Sequence, residues 1–501
     1  MTKKLLKPIM FVGTCSDAGK SVINAAFCRI FKQDGFRPAP FKAQNMSLNS
    51  YSTLEGGEMG RAQVVQAEAC GIDPHTDMNP ILLKPTSDKG SQVILNGRPI
   101  GNMSAKDYFS VKLKKEELFI EAQKAFDRLK SRYNPIVLEG AGSISEINLR
   151  DRDITNMRMA IYANADTYLV ADIDRGGVFG SVYGTIALLK PEERERIKGV
   201  IINKFRGDIT LFDEGKKILE DLTGVPVVAV VPYFRGLKIE EEDSGVLDMK
   251  NNTYRSGKIN VAIILLKRMS NFTDFDVLEM DDRFNAYYSN NIEEVEKADI
   301  IILPGSKNTI SDLQSIRANG IADAIIKAYK DGKKVIGICG GYQMMGARIE
   351  DPEGTEGSLK AVPGLGLLPQ ITTIEEEKVT KQSNFAFCAN SSENENYSCK
   401  GYEIHMGKTT SFGDVPESPV ALLEDGRKDG YYLNNRCWGS YMHGILDNAD
   451  VLNQLAEGFE QNKESSTFDY ASFKEEQYNK LADWVRKHAD MDYIYRSATI
   501  D

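Results

Sequence analysis

The short apolar run Ile9-Met10-Phe11-Val12 delivers the chain straight into Gly13-Thr14-Cys15-Ser16-Asp17-Ala18-Gly19-Lys20-Ser21, and a helical pattern follows at once through Val22, Ala26 and Ile30. A strand that stops in glycine and restarts as a helix leaves little choice of fold. The glycines let backbone N–H groups curl around an anion, and the helix N-terminus adds a field that favours negative charge. Lys20 is placed to reach β- and γ-phosphates, and the Ser21 hydroxyl to ligate Mg2+. Five residues rather than four separate Gly13 from Gly19, so the loop departs from the commonest phosphate-loop spacing. The order strand, GKS, helix is still the order such a loop needs. Gly13, Thr14, Asp17, Gly19, Lys20 and Ser21 are therefore the candidate ATP-binding residues.

A phosphate loop of this kind sits at the edge of a parallel sheet, and the sequence supplies the other strands. Residues 8–13, 135–139, 167–172, 198–203 and 226–231 read as continuous apolar runs, as strands buried on both faces do. Between them, 106–130 carries Leu118, Ala122, Ala125 and Leu129 on one helical stripe. Alternation of this sort predicts an α/β, doubly wound parallel sheet. Ligands of such sheets bind at the carboxyl ends of the strands. There Glu139 is a candidate metal ligand with Ser21, Asn203 a candidate nucleotide contact, and Asp172 and Asp174 end a third strand. The stretch 234–258 turns polar and charged, which predicts a linker between a first domain, 1–233, and a second, 259–460. A tail over 461–501 is expected to be helical and amphipathic through Phe473, Leu481 and Trp484, and 376–400 to form a loop or exposed hairpin.

The second series of strands, 259–266, 299–303 and 334–338, leads into a different turn: Gly337-Ile338-Cys339-Gly340-Gly341-Tyr342-Gln343. A nucleophile between small residues at a strand-to-helix junction is an elbow, here with cysteine in place of serine. The helix N-terminus behind it favours the thiolate. A base must be histidine, and the four available are His75, His405, His443 and His488. His443 follows a strand pattern about a hundred residues downstream of Cys339 and suits a Cys–His pair assembled in space. Gly305, in the turn Pro304-Gly305-Ser306, could supply an oxyanion N–H, as could Gly340.

Composition closes off other classes. With 62 Lys+Arg against 72 Asp+Glu, a formal charge of −10, the chain lacks the basic footprint of a nucleic-acid binder. Seven cysteines without a CxxC pair fit neither a disulfide framework nor a structural zinc site. The apolar runs are strand-length, too short to span a membrane. The opening MTKKLLKPIMFVGT reaches Gly13 before a signal-peptide core could form, so a cytoplasmic location is expected.

A phosphate-loop half joined to a Cys–His hydrolase half suggests ammonia made at one site and consumed at another. The first half resembles the dethiobiotin-synthetase-like ligases, whose phosphate loops share the GT-x5-GK[ST] spacing, and the second resembles a flavodoxin-like class I glutamine amidotransferase domain. With FKAQNMSLNS (41–50), EMGRAQVVQAEACG (58–71), DMNPILLKP (77–85), VLEGAGS (137–143), DIDRGGVFGS (172–181) and GYEIHMG (401–407), the chain resembles the cobyric acid synthase family from about residue 8 to about 485. That resemblance implies ATP- and glutamine-dependent amidation of the b, d, e and g carboxylates of adenosylcobyrinic acid a,c-diamide, giving adenosylcobyric acid. It implies Cys339 and His443 as catalytic residues, Gly305, Gly340 and Gln343 around the glutamine, and Lys42 and Arg175 facing phosphate or carboxylate. Arg61 and Lys84 are further candidate clamps for a polycarboxylate. ATP and Mg2+ are expected, no tightly bound cofactor is, and a homo-oligomer is left open. Many class I amidotransferases orient the histidine with a glutamate two residues on. Here His443 is followed by Gly-Ile-Leu-Asp447, so the orienting group is unassigned, with Asp447 a weak candidate. Two readings compete: a cobyrinic acid a,c-diamide synthase, and a phosphate-loop ATPase switch with a noncatalytic amidotransferase-like domain.

Overall fold

The computed structural model describes residues 5–87, 90–104, 112–240, 253–388, 397–460 and 468–500. The chain forms two compact units whose membership is not consecutive: residues 1–47, 58–240 and 472–501 make the first, and residues 48–57 and 241–471 the second. Of the linker expected over 234–258, residues 241–252 lie outside the described residues.

Unit 1 is built on six parallel strands: β1 (Ile9–Gly13), β2 (Ala39–Phe41), β3 (Ile136–Glu139), β4 (Asp166–Asp172), β5 (Ile197–Phe205) and β6 (Val227–Pro232). Their spatial order is β6-β5-β4-β1-β3-β2. The chain runs from β1 to one edge, returns at β3, and then builds the other half from β4. The crevice at the carboxyl end of β1 is thus the switch point where open sheets bind ligands. All residues of β1, β3 and β4 are buried, as their uninterrupted apolar runs predict. The helix expected over 106–130 spans Lys112–Lys130, and Leu118, Ala122, Ala125 and Leu129 are its buried stripe.

The closing helix, Tyr470–His488, is amphipathic as expected, yet it is no free tail. Its Tyr478, Leu481, Ala482 and Val485 join Phe27, Ile30 and Phe31 of α1 (Lys20–Gln33) in the unit 1 core. An apolar stripe on a helix has to be covered, and α1 covers this one.

In unit 2, β7 (Ile259–Ile264), β8 (Phe284–Ser289), β9 (Ile300–Leu303), β10 (Lys334–Ile338) and, later in the chain, Cys437–Ser440 form a parallel sheet in the order β8-β7-β9-β10-437–440. The strand Tyr431–Asn434 closes one edge antiparallel. Within 376–400, the residues up to Phe387 and from Cys399 belong to two long antiparallel strands, β11 (Gln370–Phe387) and β12 (Cys399–Ser411), and 389–396 lie outside the described residues. Met442–His443 pairs with β12 in turn, with Tyr402 opposite His443. Both units are α/β with parallel sheets, as the sequence predicts.

Candidate functional site

The phosphate loop of unit 1 is fastened from several sides. Gly19 is left-handed, with φ 90°, and a Cβ there would stand 2.1 Å from Asn203 Nδ2, so no other residue fits. Asn203 donates from Nδ2 to the Ala18 carbonyl at 2.9 Å, and Thr14 N–H donates to Val170 O at 3.1 Å. Asn203 therefore holds the loop itself. Lys20 Nζ donates to the carbonyls of Cys15 (3.1 Å) and Gly142 (3.0 Å), the latter on the turn after β3. Burial pulls the Lys20 ammonium below the usual lysine range, against the attraction of Glu139.

Glu139 is the hub of this edge. Its Oε1 accepts from Ser21 Oγ at 2.9 Å and from Lys42 Nζ at 2.8 Å, and its Oε2 from Gln66 Nε2 at 2.5 Å. Burial works against ionisation, but Lys42, Gln66 and Lys20 outweigh it and hold the carboxyl below its ordinary range. The expected metal pair, Ser21 and Glu139, thus stands together, with Lys42 beside it. Arg175 is half exposed and reaches Asp17 Oδ2 at 3.0 Å, while Asp172 is held by Lys204 at 3.0 Å. The two further candidate clamps are buried and matched: Arg61 donates to both oxygens of Glu240, and Lys84 Nζ to Glu58 at 2.7 Å. Beside Gly142 and Ser143 opens a cavity of about 610 Å³ whose lining mixes charges, with Lys115, Arg150, Arg152 and Arg158 beside Glu116, Asp151, Asp153 and Glu193. Burial takes Lys115 down to about 8.

In unit 2 the elbow is as tight as its glycines suggest. Cys339 is left-handed, φ 52° and ψ −110°, between β10 and α2 (Gly340–Met345). A Cβ on Gly341 would lie 1.9 Å from Leu303 O at the end of β9, and one on Gly340 2.8 Å from Ser306 N. Only glycine lets the neighbouring strand end pass this close. The thiol is 3.6 Å from the Ile404 carbonyl of β12, and it stands close enough to His443 to favour the imidazolium electrostatically. Gly305 lies alongside, where an added Cβ would be 3.4 Å from His443 Cε1. Gln343 is buried, its Oε1 accepting from Thr309 at 2.9 Å and its Nε2 donating to Tyr441 at 3.3 Å.

The group that holds the His443 ring is Asp274, which no local motif marks. His443 Nδ1 meets Asp274 Oδ2 at 2.6 Å, and the other carboxylate oxygen accepts from Gly444 N–H at 3.1 Å. Asp274 comes from the short turn Phe272–Phe275 between β7 and β8, 169 residues upstream of the histidine. Asp447, the sequence candidate, does not take this position. Burial pulls the His443 imidazolium down, but Asp274 and Cys339 more than reverse this and raise it to about 10. Tyr402 stacks on the imidazole, with ring centroids 5.3 Å apart. His405 lies instead against Tyr441, at 3.8 Å, bonded to Gly407 O and to Glu403, whose carboxylate Arg427 also grips.

A phosphate loop with its carboxylate, and a thiol–imidazole–carboxylate relay at an elbow, define an ATP-dependent amide ligase that draws nitrogen from glutamine. Two family models match accordingly: a CobQ/CobB/MinD/ParA nucleotide binding domain over residues 9–246, and a CobB/CobQ-like glutamine amidotransferase domain over 260–451. A cobyric acid synthase of Parabacteroides distasonis is 78% identical over 495 residues, 99% of both chains. One from Bacteroides fragilis is 60% identical over 496 residues, again 99% of both, and one from Syntrophobacter fumaroxidans 47% over 507 residues, 98% of both. The chain belongs to the cobyric acid synthase family. Among the described residues, no helix is long and apolar enough to cross a membrane.

Proposed function

We propose that the chain amidates the b, d, e and g carboxylates of adenosylcobyrinic acid a,c-diamide, using ATP and glutamine, to give adenosylcobyric acid. The observation that carries this reading is the buried relay Cys339–His443–Asp274, because a nucleotide switch has no use for an oriented base facing a thiol. Cys339 passes its proton to His443, and Sγ attacks the carboxamide carbon of glutamine. The N–H groups of Gly305 and Gly340 receive the developing oxyanion. His443 returns the proton to the departing nitrogen, ammonia leaves, and water hydrolyses the γ-glutamyl thioester. In unit 1, a substrate carboxylate attacks the terminal phosphorus of ATP, and ADP leaves. Ammonia then attacks the acyl carbon of the acyl phosphate, and inorganic phosphate departs.

The Ser21 hydroxyl and Glu139 carboxylate are hard oxygen donors that suit Mg2+, which when bound supplies charge neutralisation on the ATP phosphates. Lys20 and Lys42 add positive charge at the same strand ends. The other carboxylates of the substrate would enter the 610 Å³ cavity in place of lining glutamates, Glu116 on Arg158 and Glu193 beside Arg150.

The test uses Cys339→Ala. It should release no glutamate from glutamine, yet still amidate with free ammonia. Mass spectrometry of the corrinoid product should then count four added amides. Two amides added to cobyrinic acid, with none added to its a,c-diamide, would indicate an a,c-diamide synthase instead. Glutamine hydrolysis that survives Cys339→Ala would refute the assignment of the nucleophile.

A further inference from the structure

Residues 48–57 leave the N-terminal half of the chain and pack within unit 2 before the chain returns to unit 1 at Glu58. Nothing in the assignment of catalytic groups explains this excursion. Its first residues are among the most buried polar groups of the protein: Asn49 and Ser50 are each 1% exposed. A chain hides polar side chains so completely only when they meet partners.

Those partners are the supports of His443. Asn49 Oδ1 accepts from Phe272 N–H at 3.0 Å. Asn271, left-handed at φ 54°, is held at both ends of its amide: Nδ2 donates to Ser50 O at 2.8 Å, and Oδ1 accepts from Ser50 N–H at 3.4 Å. Asn271 and Phe272 begin the turn whose third residue on, Asp274, grips His443. The same Ser50 carbonyl accepts from Tyr402 OH at 3.3 Å, and Tyr51 packs against the Tyr402 ring at 4.6 Å. Tyr402 is the ring stacked on the imidazole. Both sides of the base therefore rest on residues 49–51: its carboxylate through Asn271 and Phe272, and its ring face through Tyr402.

We infer that Asn49 is a positioning residue for glutamine hydrolysis, acting through the Asp274 turn, so that a segment from the synthetase half of the sequence completes the amidotransferase centre. The inference rests on the Cys339–His443 reading above. Asn49 touches neither thiol nor imidazole. It fixes the N–H that opens the Asp274 turn. The turn is also held by Tyr288 OH on Phe272 O at 3.3 Å and by Gly444 N–H on Asp274 Oδ1 at 3.1 Å, so loss of the clasp at the Phe272 N–H shifts the carboxylate on Nδ1 without unfolding the turn.

The experiment measures full-length Asn49→Ala, Asn49→Asp and Cys339→Ala with glutamine and, separately, with ammonia as nitrogen source. Misplacement of a catalytic group by about an ångström costs on the order of 100-fold, so Asn49→Ala should lose roughly 10- to 100-fold in glutamine hydrolysis. Ammonia-dependent amidation should stay within about twofold, since its chemistry does not pass through His443. Asn49→Asp keeps an acceptor for the Phe272 N–H and should recover much of the glutaminase. In an Asp274→Asn background, Asn49→Ala should add little, because both act on one relay. Should Asn49→Ala fail to fold, Asn49→Ser removes the same amide and is read identically. Undiminished glutamine hydrolysis, equal losses with glutamine and ammonia, or full additivity with Asp274→Asn would overturn the inference. If Cys339→Ala itself hydrolyses glutamine, the underlying reading fails. If Cys339→Ala is inert while Asn49→Ala hydrolyses at the wild-type rate, only the role of Asn49 fails.

Discussion

Replacing Asp274 by asparagine tests the chemistry of the relay with little change of shape. His443 stands at about 10 against an ordinary 6.5, a gap held open by Asp274 and Cys339 in the face of burial. At ~1.4 kcal/mol per unit, the net shift is on the order of 5 kcal/mol, and their joint hold on the imidazolium exceeds it by what burial takes away. Asp274 is the larger of the two contributors, so its share is at least roughly 2–3 kcal/mol, which corresponds to about 30- to 150-fold in rate. Tautomer adds to this loss. The asparagine Oδ1 can still accept from Gly444 N–H, so its Nδ2 turns toward His443 Nδ1 and donates to it. The ring proton then sits on Nε2, the nitrogen that must take the proton from Cys339. Glutamate release by Asp274→Asn, at saturating glutamine with ATP and corrinoid present, should fall by at least 30-fold. Ammonia-dependent amidation by the same preparation should match wild type. Glutamate release within threefold of wild type would refute the reasoning, because a histidine that needs no carboxylate is not the base described above.

The raised His443 also predicts a pH signature of stability. Its folded value lies above its unfolded one, so its contribution is fully present below about pH 6.5 and is lost as pH rises toward 10. Thermal melts between pH 7 and 10 should show Tm falling more steeply for wild type than for His443→Gln, and parallel slopes would count against the ion pair. At the other site, Glu139→Gln leaves the Lys42 ammonium buried without its counter-charge, a change that costs roughly 3–5 kcal/mol. Its Tm should drop, and Mg2+-dependent nucleotide binding, read by calorimetry, should weaken sharply. Unchanged Mg2+ dependence would remove Glu139 from the metal site.

How much of this was legible in the sequence depends on the distance over which each residue finds its partner. Most strands of both sheets were legible because they are buried on both faces and carry an apolar run locally, whereas β8, FNAYYS, breaks its run with Asn285 and was not read. The phosphate loop and the cysteine elbow were legible for the same reason: strand, turn and helix are contiguous, and glycine spacing reports the turn directly. The helix over 470–488 could be read as amphipathic, but not as part of unit 1, since α1 lies about 450 residues earlier. Cations were the least legible. Arg61, Lys84 and Arg175 look like free clamps in a one-dimensional string, and the structure gives each a carboxylate partner.

The orienting acid shows where the limit lies. A search for it that follows familiar spacing looks just after the histidine and meets Asp447. The requirement is spatial, however: a carboxylate must approach Nδ1 while Nε2 faces the thiol. In a parallel sheet the loops after successive strands gather at one edge, so the loop after β7 is as near to His443 as its own neighbours in sequence. The acid therefore precedes the nucleophile, in the order Asp274, Cys339, His443. The same reasoning accounts for residues 49–51. A loop that must hold a carboxylate against one nitrogen needs bracing from outside itself, and the chain supplies the brace from more than 200 residues away. Such a brace has no motif of its own, because its function is defined by the backbone it grips and not by the chemistry it performs.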